Sequence, residues 1–319
     1  MLYSPVPMHI PDGFLSVGVS LVLWLVAVVV VGYALKRVNA DLGERQVPLM
    51  GVLAACIFAG QMLNFSVTGG TSGHLMGAAI ATILLGPWAA ILVITCVVGV
   101  QALIFQDGGL LVLGANIVNM SVIGVAVSYF VYNTMRKLLG NRSGSLFVGG
   151  FLSGWFSLFV ASLACALQLA LSGTSTANVA VPAMAGIHAL IGIGEGLITA
   201  GALVFLRAAR RDLLPEQQAQ PVGGKLVWIA GLVIAVGLVI ASPLASAHPD
   251  GLEWVAEQRG FLDLAREPLY EIIPDYVLPG ISNEALATVL AGIVGALIVF
   301  GAAAGLAYVR YDRARRSGA

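Results

Sequence analysis

Long, nearly uninterrupted apolar runs dominate this chain, in place of the alternating polar and apolar positions of soluble helices and strands. A helix needs about 20 apolar residues to cross a bilayer. We predict nine spans, near residues 15–35, 48–66, 75–86, 87–105, 110–135, 145–172, 181–206, 226–247 and 285–309. Because the third is short and Gly86-Pro87 separates it from the fourth, these two form either a tight helical hairpin or one broken span.

The composition agrees with a membrane location. Apolar residues make up 59% of the chain and charged residues only 10%, whereas soluble domains carry roughly 25% charged residues. The mean hydropathy is +0.94. Cys56, Cys96 and Cys165 all fall inside apolar runs and form no C-x-x-C pair, which argues against a disulfide framework or a zinc knuckle. The predicted fold is therefore all-α, a polytopic membrane bundle of about seven helices followed by a two-helix accessory module.

The basic residues indicate how the chain is oriented. Lys and Arg near span ends mark the cytoplasmic side of a membrane protein. With the N-terminus outside and the C-terminus inside, only Arg259 and Arg266 remain outside. The other basic clusters then lie in the cytoplasm: Lys36, Arg37, Arg45, Arg136, Lys137, Arg142, Arg207, Arg210, Arg211, Lys225, Arg310, Arg313, Arg315 and Arg316. We predict a multi-pass protein of the cell membrane with this orientation, which places all four histidines near the outer face.

A polar linker at residues 207–224 divides the chain into two parts. The first, residues 8–206, is the predicted metal-binding membrane domain. The second, residues 225–319, has two spans that flank an outer loop at residues 248–284, which holds eight of the sixteen acidic residues. Three roles remain open for this loop: it raises the local cation concentration, it clamps the N-terminal segment, or it is a solvated linker.

Two short polar segments, residues 8–13 and 69–74, carry the candidate chemistry. If Met8 is the first residue, its amine, the His9 backbone nitrogen and the His9 ring Nδ1 can form two fused chelate rings around one ion. A nitrogen of His74 would complete a square, a geometry that suits Ni(II) and Cu(II) and that low-spin Co(II) accepts. Mg²⁺ and Ca²⁺ prefer oxygen ligands. Structural alternatives are a frayed leader around His9 and, for His74, a helix N-cap formed by residues 71–73.

His188 and Glu195 lie seven residues apart and therefore on one face of the seventh span. A carboxyl group deep in a membrane is costly and usually faces the bundle interior. These two residues form either a polar network that orients the metal ligands or a structural hydrogen bond. Other polar residues that could join the network, or equally form hydrogen bonds that pack helices, are Asn64, Gln106, Asp107, Asn116 and Asn119.

Four segments in order give the chain a family resemblance. They are Met-His-Ile-Pro-Asp-Gly-Phe-Leu-Ser from residue 8, Gly-Gly-Thr-Ser-Gly-His-Leu-Met-Gly from residue 69, Gly-Ala-Asn-Ile-Val-Asn-Met from residue 114, and His-Ala-Leu-Ile-Gly-Ile-Gly-Glu from residue 188. Residues 8 to about 206 resemble the CbiM/NikM family, the substrate-binding component of cobalt/nickel energy-coupling-factor importers. The remainder, with Pro-Asp-Gly-Leu-Glu at residues 249–253, resembles the PDGLE accessory subunit (NikN/CbiN-like) of the same importers.

The resemblance implies the metal ligands and the partners. The ligands carry over onto Met8, through its terminal amine, onto His9, through its backbone nitrogen and ring, and onto the His74 ring. The implied substrate is Ni(II) or Co(II), with nickel favoured by a planar nitrogen site. The implied partners are a CbiQ/NikQ-like transmembrane coupling subunit and cytoplasmic ATPases, and delivery would occur by reorientation in the membrane. We expect contact with membrane lipid and none with nucleic acid.

Residues 1–7 precede the motif, and an amide at Met8 cannot replace the free amine. We therefore expect the functional chain to start at Met8. The sequence has no G-x-x-x-x-G-K-[ST] and no H-E-x-x-H, so we expect a transport component that is not itself an enzyme. Two alternatives remain open: a secondary transporter that works without ATPases, and an intramembrane hydrolase that uses His188 and Glu195.

Overall fold

The computed structural model describes residues 8–41, 46–140, 143–209 and 224–317. The leader at residues 1–7 and most of the linker therefore lie outside the described residues. The helices are α1 (Val17–Asp41), α2 (Gln46–Gln61), α3 (Ala78–Leu85), α4 (Pro87–Val100), α5 (Leu113–Asn116), α6 (Gly124–Leu139), α7 (Ser143–Leu171), α8 (Ala177–Ala209), α9 (Gly224–Ala241), α10 (Gly251–Arg259) and α11 (Glu284–Ser317). Two short strands, β1 (Phe65–Val67) and β2 (Thr71–Gly73), pair antiparallel.

The prediction of an all-α membrane bundle is confirmed. Within the described ranges, six helical stretches are long and apolar enough to cross a membrane, and two shorter apolar helices accompany them. The six are Val17–Val38, Pro87–Phe105, Leu113–Leu139, Gly144–Leu171, Ala177–Ala208 and Glu284–Asp312, and the two shorter ones are Val47–Gln61 and Ile229–Leu244. Apolar side chains along α1, such as Leu21, Leu25 and Val28, are exposed on the bundle surface. This is expected of a helix that faces lipid, because lipid tails are as apolar as these side chains.

The third predicted span is the one that differs most from the expectation. Helix α3 has eight residues and therefore rises only about 12 Å, less than half of the roughly 30 Å hydrocarbon core. Gly86, at φ 78°, turns the chain into α4, so the hairpin alternative is correct. The Trp88 ring lies 5.1 Å from the Tyr33 ring. The hairpin turn is therefore level with the last turns of α1.

The structure contradicts the alternative in which residues 71–73 form a helix N-cap. These residues form strand β2, and α3 begins only after Gly77. The reason is that their polar groups are used elsewhere: Ser72 pairs with Ser66 in β1, and its backbone N–H donates to Pro249 O at 2.8 Å. His74 consequently lies in an extended connection between strand β2 and helix α3, so its side-chain direction is not set by helical backbone angles.

Two membrane helices contain π-helical turns next to the polar segments. Gln101–Phe105 extends α4 in this form, and Ile117–Ile123 joins α5 to α6. Such turns in α-helices are frequent at functional sites because the extra residue redirects side chains. After the first turn, Gln106 adopts a left-handed backbone at φ 55°. This sharp turn directs the chain from the end of α4 back across the bundle, so that Asp107 comes next to His9.

The accessory helices α9 and α11 both pack against α2. Glycines allow this close approach: a Cβ on Gly231 of α9 would lie 2.0 Å from Val52, and one on Gly295 of α11 would lie 2.2 Å from Phe58. Small residues at helix contacts are the usual means by which membrane helices come together, because lipid is as apolar as the side chains.

The outer loop between α9 and α11 lies across the end of the bundle and holds the N-terminal segment. Arg266 N donates to Asp12 O at 2.8 Å, and Ile273 N donates to Ile104 O at 3.0 Å. The Phe261 ring meets the Phe14 ring edge-on at 5.2 Å. Of the three roles left open for this loop, these contacts support the clamp, while acidic side chains such as Glu267 and Glu271 are exposed to solvent.

Candidate metal site

A cavity of about 100 Å³ lies at the loop-covered end of the bundle. The N-terminal segment, the connection after β2, helices α7 and α8 and the start of α10 enclose it. Met8, His9, His74 and His188 line it, together with Asp250 from the accessory module. The structure thus brings the three predicted ligand residues to one place, although they are up to 66 positions apart in the sequence.

Hydrogen bonds attach the N-terminal segment to the loop before α5 and to α5 itself. The Asp12 carboxylate accepts from Leu110 N at 3.1 Å and from Val112 N at 3.2 Å. Asn116 forms a reciprocal pair with the backbone of Ile10, donating to its carbonyl and accepting from its N–H, both at 3.1 Å. Gly109 leaves room for this approach, because a Cβ there would lie 2.1 Å from Asp12 Oδ1. Asn116, a predicted member of the polar network, is therefore the residue that holds the segment after His9.

His9 is buried, and two of its nitrogens converge on one oxygen. Its backbone N–H donates to Asp107 Oδ1 at 3.2 Å, and its Nδ1 lies 3.0 Å from the same oxygen. The Nδ1 contact is close but poorly aligned, so among the described residues neither ring nitrogen of His9 has a well-oriented hydrogen-bond partner. A buried polar atom without a partner is uncommon in folded proteins and points to a missing ligand.

The two charges near His9 set its protonation. Burial by itself lowers the pKa of His9, but the Asp107 carboxylate, with a smaller contribution from Asp250, raises it above the ordinary 6.5. The pKa of Asp107 is correspondingly held below 3.8, because His9 and the Tyr276 hydroxyl outweigh the cost of its burial. Asp107 is therefore a buried, ionised carboxylate at this end of the bundle, and a positive charge on His9 stabilises it.

His74 faces His9 with a neutral imidazole. The ring centroids are 5.6 Å apart and the rings are nearly perpendicular, at 76°. Burial, reinforced by the charge of His9, lowers the pKa of His74 to about 4. Its Nδ1 lies 3.1 Å from Leu75 O, a contact that assigns the ring proton to Nδ1. The lone pair is then on Nε2, which lies 3.8 Å from Asp250 Oδ2.

Glu195 supports the segment behind His74 and does not line the cavity. Its two carboxyl oxygens accept from Met76 N at 2.7 Å and from Gly77 N at 3.1 Å, and its side chain is fully buried. The side chain therefore satisfies two backbone N–H groups of an irregular stretch, which would otherwise be costly inside a membrane protein.

His188, in contrast, does line the cavity. Its Nδ1 contacts Met184 O at 2.9 Å, one turn earlier in α8. The ring packs against the start of α10, where a Cβ on Gly251 would lie 2.9 Å from His188 Cε1. His188 and Glu195 thus lie on one helix but have different positions. His188 forms part of the cavity wall, and Glu195 supports the connection after His74.

The remaining predicted residues differ in position. Asn119 forms a reciprocal side-chain pair with Gln168 of α7, at 2.9 and 2.6 Å, and lies in the cavity wall. Asn64 is not part of that wall. Its backbone carbonyl oxygen accepts a hydrogen bond from Ser246 N at 2.8 Å, beside β1. Asn119 therefore belongs to the surroundings of the cavity, whereas Asn64 connects the accessory loop to the strand pair.

Three acidic or phenolic residues have a larger part at the site than the sequence indicates. In the sequence, Asp107 was one of several polar residues that could join the network, and Asp250 was one of eight acidic residues in the loop. No sequence pattern singled out Tyr276. Burial raises the pKa of Asp250 to about 7, although its own N-cap bond to Glu253 N, at 2.9 Å, opposes this. The Pro-Asp-Gly-Leu-Glu segment at 249–253 was the one available clue to Asp250, since it places a helix N-cap there.

The donor chemistry fits a site built from nitrogens. Within the described parts of the chain, no group of three or more His, Cys, Asp or Glu side chains is arranged to hold a metal ion. A site that uses one amine and one backbone nitrogen in addition to two imidazoles needs only His9 and His74 among side chains.

Comparison with known proteins identifies the family. Residues 9–213 match the family CbiM, described as the cobalt uptake substrate-specific transmembrane region, and residues 225–311 match the PDGLE domain. The chain belongs to the CbiM family. The CbiM match covers most of the residues that line the cavity, while Asp250, Gly251 and Leu252 come from the PDGLE match.

Relatives of this CbiM chain carry the names of transport proteins. The putative fused nickel transport protein NikMN of Archaeoglobus fulgidus is 39% identical, over 96% of this chain and 99% of its own. The fused nickel transport protein NikMN of Rhodobacter capsulatus is 32% identical, over 92% and 96%. The cobalt transport protein CbiM of Sorangium cellulosum is 35% identical, over 66% and 96%. A solved structure described as a truncated transition metal transporter is 36% identical and has a TM-score of 0.57, over 63% of this chain and 98% of that one.

Proposed function

We propose that this chain captures Ni(II), or with slightly lower preference Co(II), from outside the cell for an ATP-driven importer of the energy-coupling-factor type. The observation that carries the proposal is the meeting of Met8, His9 and His74 in one cavity, with the ring nitrogens of buried His9 lacking aligned partners. Relatives named as nickel and cobalt transport proteins agree with it.

The proposed ligand set is the Met8 amine, the backbone nitrogen and Nδ1 of His9, and Nε2 of His74. Two features support it. The His9 backbone nitrogen and Nδ1 lie 3.2 Å and 3.0 Å from a single position, occupied here by Asp107 Oδ1. His74 is neutral at physiological pH, because its pKa is about 4, and so can offer a lone pair without first losing a proton. His188, Asn116 and Asn119 would surround the ion, and Glu195 would hold the segment that carries His74.

Nickel is preferred because four nitrogens in a plane suit a d⁸ ion. Deprotonation of the His9 backbone nitrogen on binding also favours an ion that forms strong bonds to amide nitrogen. The site is poorly suited to Mg²⁺ and Ca²⁺, which require oxygen ligands.

In the importer, residues 8–206 would form the binding domain and residues 225–319 the accessory module, joined by the linker at 207–224. The sequence has no P-loop, so ATP hydrolysis would take place in separate cytoplasmic subunits. A transmembrane coupling subunit of the CbiQ/NikQ kind would connect those ATPases to this chain. The ligand site would face outward, with the N-terminus outside and the C-terminus inside.

A Ni(II) absorption titration of the purified protein tests the proposal. A chain that starts at Met8 should develop a yellow band that saturates at one equivalent of metal, because a planar nitrogen field makes Ni(II) low-spin. His74→Ala should abolish the band, since it removes the fourth nitrogen. The matched control is His248→Ala, because His248 is exposed on the loop and does not line the cavity. The full chain from Met1 should bind more weakly, because its Met8 nitrogen is an amide.

Absence of the band and of tight binding in the chain from Met8 would overturn the proposed ligand set. A second experiment separates the importer from a secondary transporter. Nickel uptake into cells that express this chain should require the ATPase and coupling subunits, and uptake that continues with a Walker-A Lys→Ala ATPase would contradict the importer.

A further inference from the structure

Tyr276, in the outer loop of the accessory module, hydrogen-bonds to the carboxylate that contacts His9. Its hydroxyl donates to Asp107 Oδ2 at 2.5 Å, while Asp107 Oδ1 meets the two His9 nitrogens. The same hydroxyl accepts from Gln101 Nε2 at 3.0 Å. Because Gln101 can only donate through that nitrogen, the phenol proton is directed at Asp107. A continuous connection therefore runs from the accessory module to a proposed metal ligand.

The backbone around Tyr276 is strained in a way that places this side chain. Asp275 and Tyr276 both have positive φ angles, 54° and 58°, although neither is glycine. Left-handed backbone costs energy for residues with a Cβ and persists only where the surroundings require it. The ring is buried, and it stacks on Phe105 at 4.7 Å with an angle of 16° between the planes. The loop thus accepts an unfavourable conformation and keeps the hydroxyl beside Asp107.

Asp107 has two oxygens, and each has a separate partner. Oδ2 is held by Tyr276, so the carboxylate cannot rotate without losing that hydrogen bond. Oδ1 consequently stays at the point on which His9 N and Nδ1 converge. A chelated ion would require these same two nitrogens to converge in the same way. The Asp107 carboxylate therefore keeps His9 in the conformation in which N and Nδ1 face one point, and an arriving ion would replace Oδ1 at that point. The position of the carboxylate in turn depends on Tyr276.

We propose that Tyr276 is a positioning residue for the metal ligand His9, acting through Asp107, so that the accessory module controls how tightly the ion is held. This inference rests on the proposed function, because it requires His9 to bind the metal. It goes further in that it assigns a residue of the accessory module to the binding site. Residues that orient metal ligands typically contribute about 10- to 100-fold to affinity.

The test is a double-mutant cycle on the full two-module chain starting at Met8, with the Ni(II) dissociation constant as the readout. Tyr276→Phe removes only the hydroxyl and leaves the stacked ring in place. We expect it to weaken Ni(II) binding about tenfold. In a background of Asp107→Asn, the same substitution should have no further effect, because the link to His9 is already altered. A role limited to packing the loop would weaken binding by the same factor in both backgrounds.

Tyr270→Phe is the matched control. Tyr270 belongs to the same loop, and its hydroxyl also donates a hydrogen bond, to the backbone carbonyl oxygen of Leu103 at 3.0 Å. Its hydroxyl has no contact with Asp107, so affinity should equal that of the unsubstituted chain. If Tyr276→Phe binds like Tyr270→Phe, or if its effect persists unchanged with Asp107→Asn, the positioning role is overturned and the proposed function stands. If the unsubstituted chain binds no Ni(II), both are overturned.

Discussion

Glu195 shows what one buried residue contributes at the residue scale. In the sequence it is an acidic residue deep in a predicted span, a feature usually associated with function in a membrane. In the structure its carboxyl group is fully used by the N–H groups of Met76 and Gly77. These residues directly follow Leu75, the neighbour of His74. Glu195 therefore acts on the candidate site at a distance, since it holds the connection that positions the His74 ring.

We predict that Glu195→Gln destabilises the protein by about 2 kcal/mol, within the range of about 1–3 kcal/mol for leaving a buried donor without a partner. The amide has one oxygen, so its NH₂ group would face one of the two backbone N–H donors. The melting temperature of the metal-free protein in detergent measures the loss, and Ni(II) affinity should fall as well. Glu257→Gln is the control, because Glu257 is exposed on α10. Equal melting temperatures for the two variants would show that Glu195 is dispensable for stability.

Helix packing determines the arrangement at the element scale. Helix α11 runs along α2 and carries one glycine, Gly295, where aromatic rings approach it. At Gly295, a Cβ would lie 2.2 Å from Phe58 and 2.6 Å from Phe105. Phe105 in turn stacks on Tyr276. The packing of α11 is therefore connected to the loop that covers the cavity.

Gly295→Leu should separate α11 from α2 and lower stability by about 1–3 kcal/mol, the usual cost of overpacking. Ni(II) affinity should fall with it, because the outer loop ends at the start of α11. Gly301→Leu makes the same chemical change on the same helix, where no atom lies within 4 Å of the new Cβ. Thermal unfolding of the two variants, measured side by side, checks this expectation. A melting temperature for Gly295→Leu at or above that of Gly301→Leu would contradict the packing described.

At the scale of the whole chain, residues of the CbiM match and of the PDGLE match line one cavity. Helices α9 and α11 attach the accessory module to the first, and its loop places Asp250 and Tyr276 near the candidate ligands. The hairpin of α3 and α4 begins and ends at the cavity side of the bundle, so residues 74 and 107 lie at the same end as residue 9. All the proposed ligand residues then face one side of the membrane, which is a requirement for capture from outside.

We predict that this side is the cell exterior. With the three native cysteines replaced by alanine, Ser282→Cys in the outer loop should react with a membrane-impermeant maleimide in intact cells. Gln217→Cys in the linker should react only after lysis, because the linker is expected in the cytoplasm. The labelling ratio before and after lysis is the measurement. The opposite pattern would invert the orientation and remove the basis for capture from outside.

Much of the fold could be predicted because apolar runs report directly on the membrane. The positions of α1, α7, α8 and α11 follow from length and hydropathy. The strand pair was missed because three residues are too few for a pattern of alternation, and residues 71–73 have the composition of a helix cap. Of the site, Met8, His9 and His74 were proposed from motif and family resemblance, and their role as ligands remains a prediction.

The amino-acid sequence alone was enough to identify the class of the protein, because helices that cross a bilayer need long apolar segments. It also determined which residues offer nitrogen donors at the two polar segments. The residues that surround these donors depend on the tertiary structure. Asp107 and Tyr276 are 169 positions apart, and no local pattern marks two residues that become neighbours when a loop from one module folds over another. Contacts of that range depend on how the helices pack, and packing depends on the shape of all side chains together.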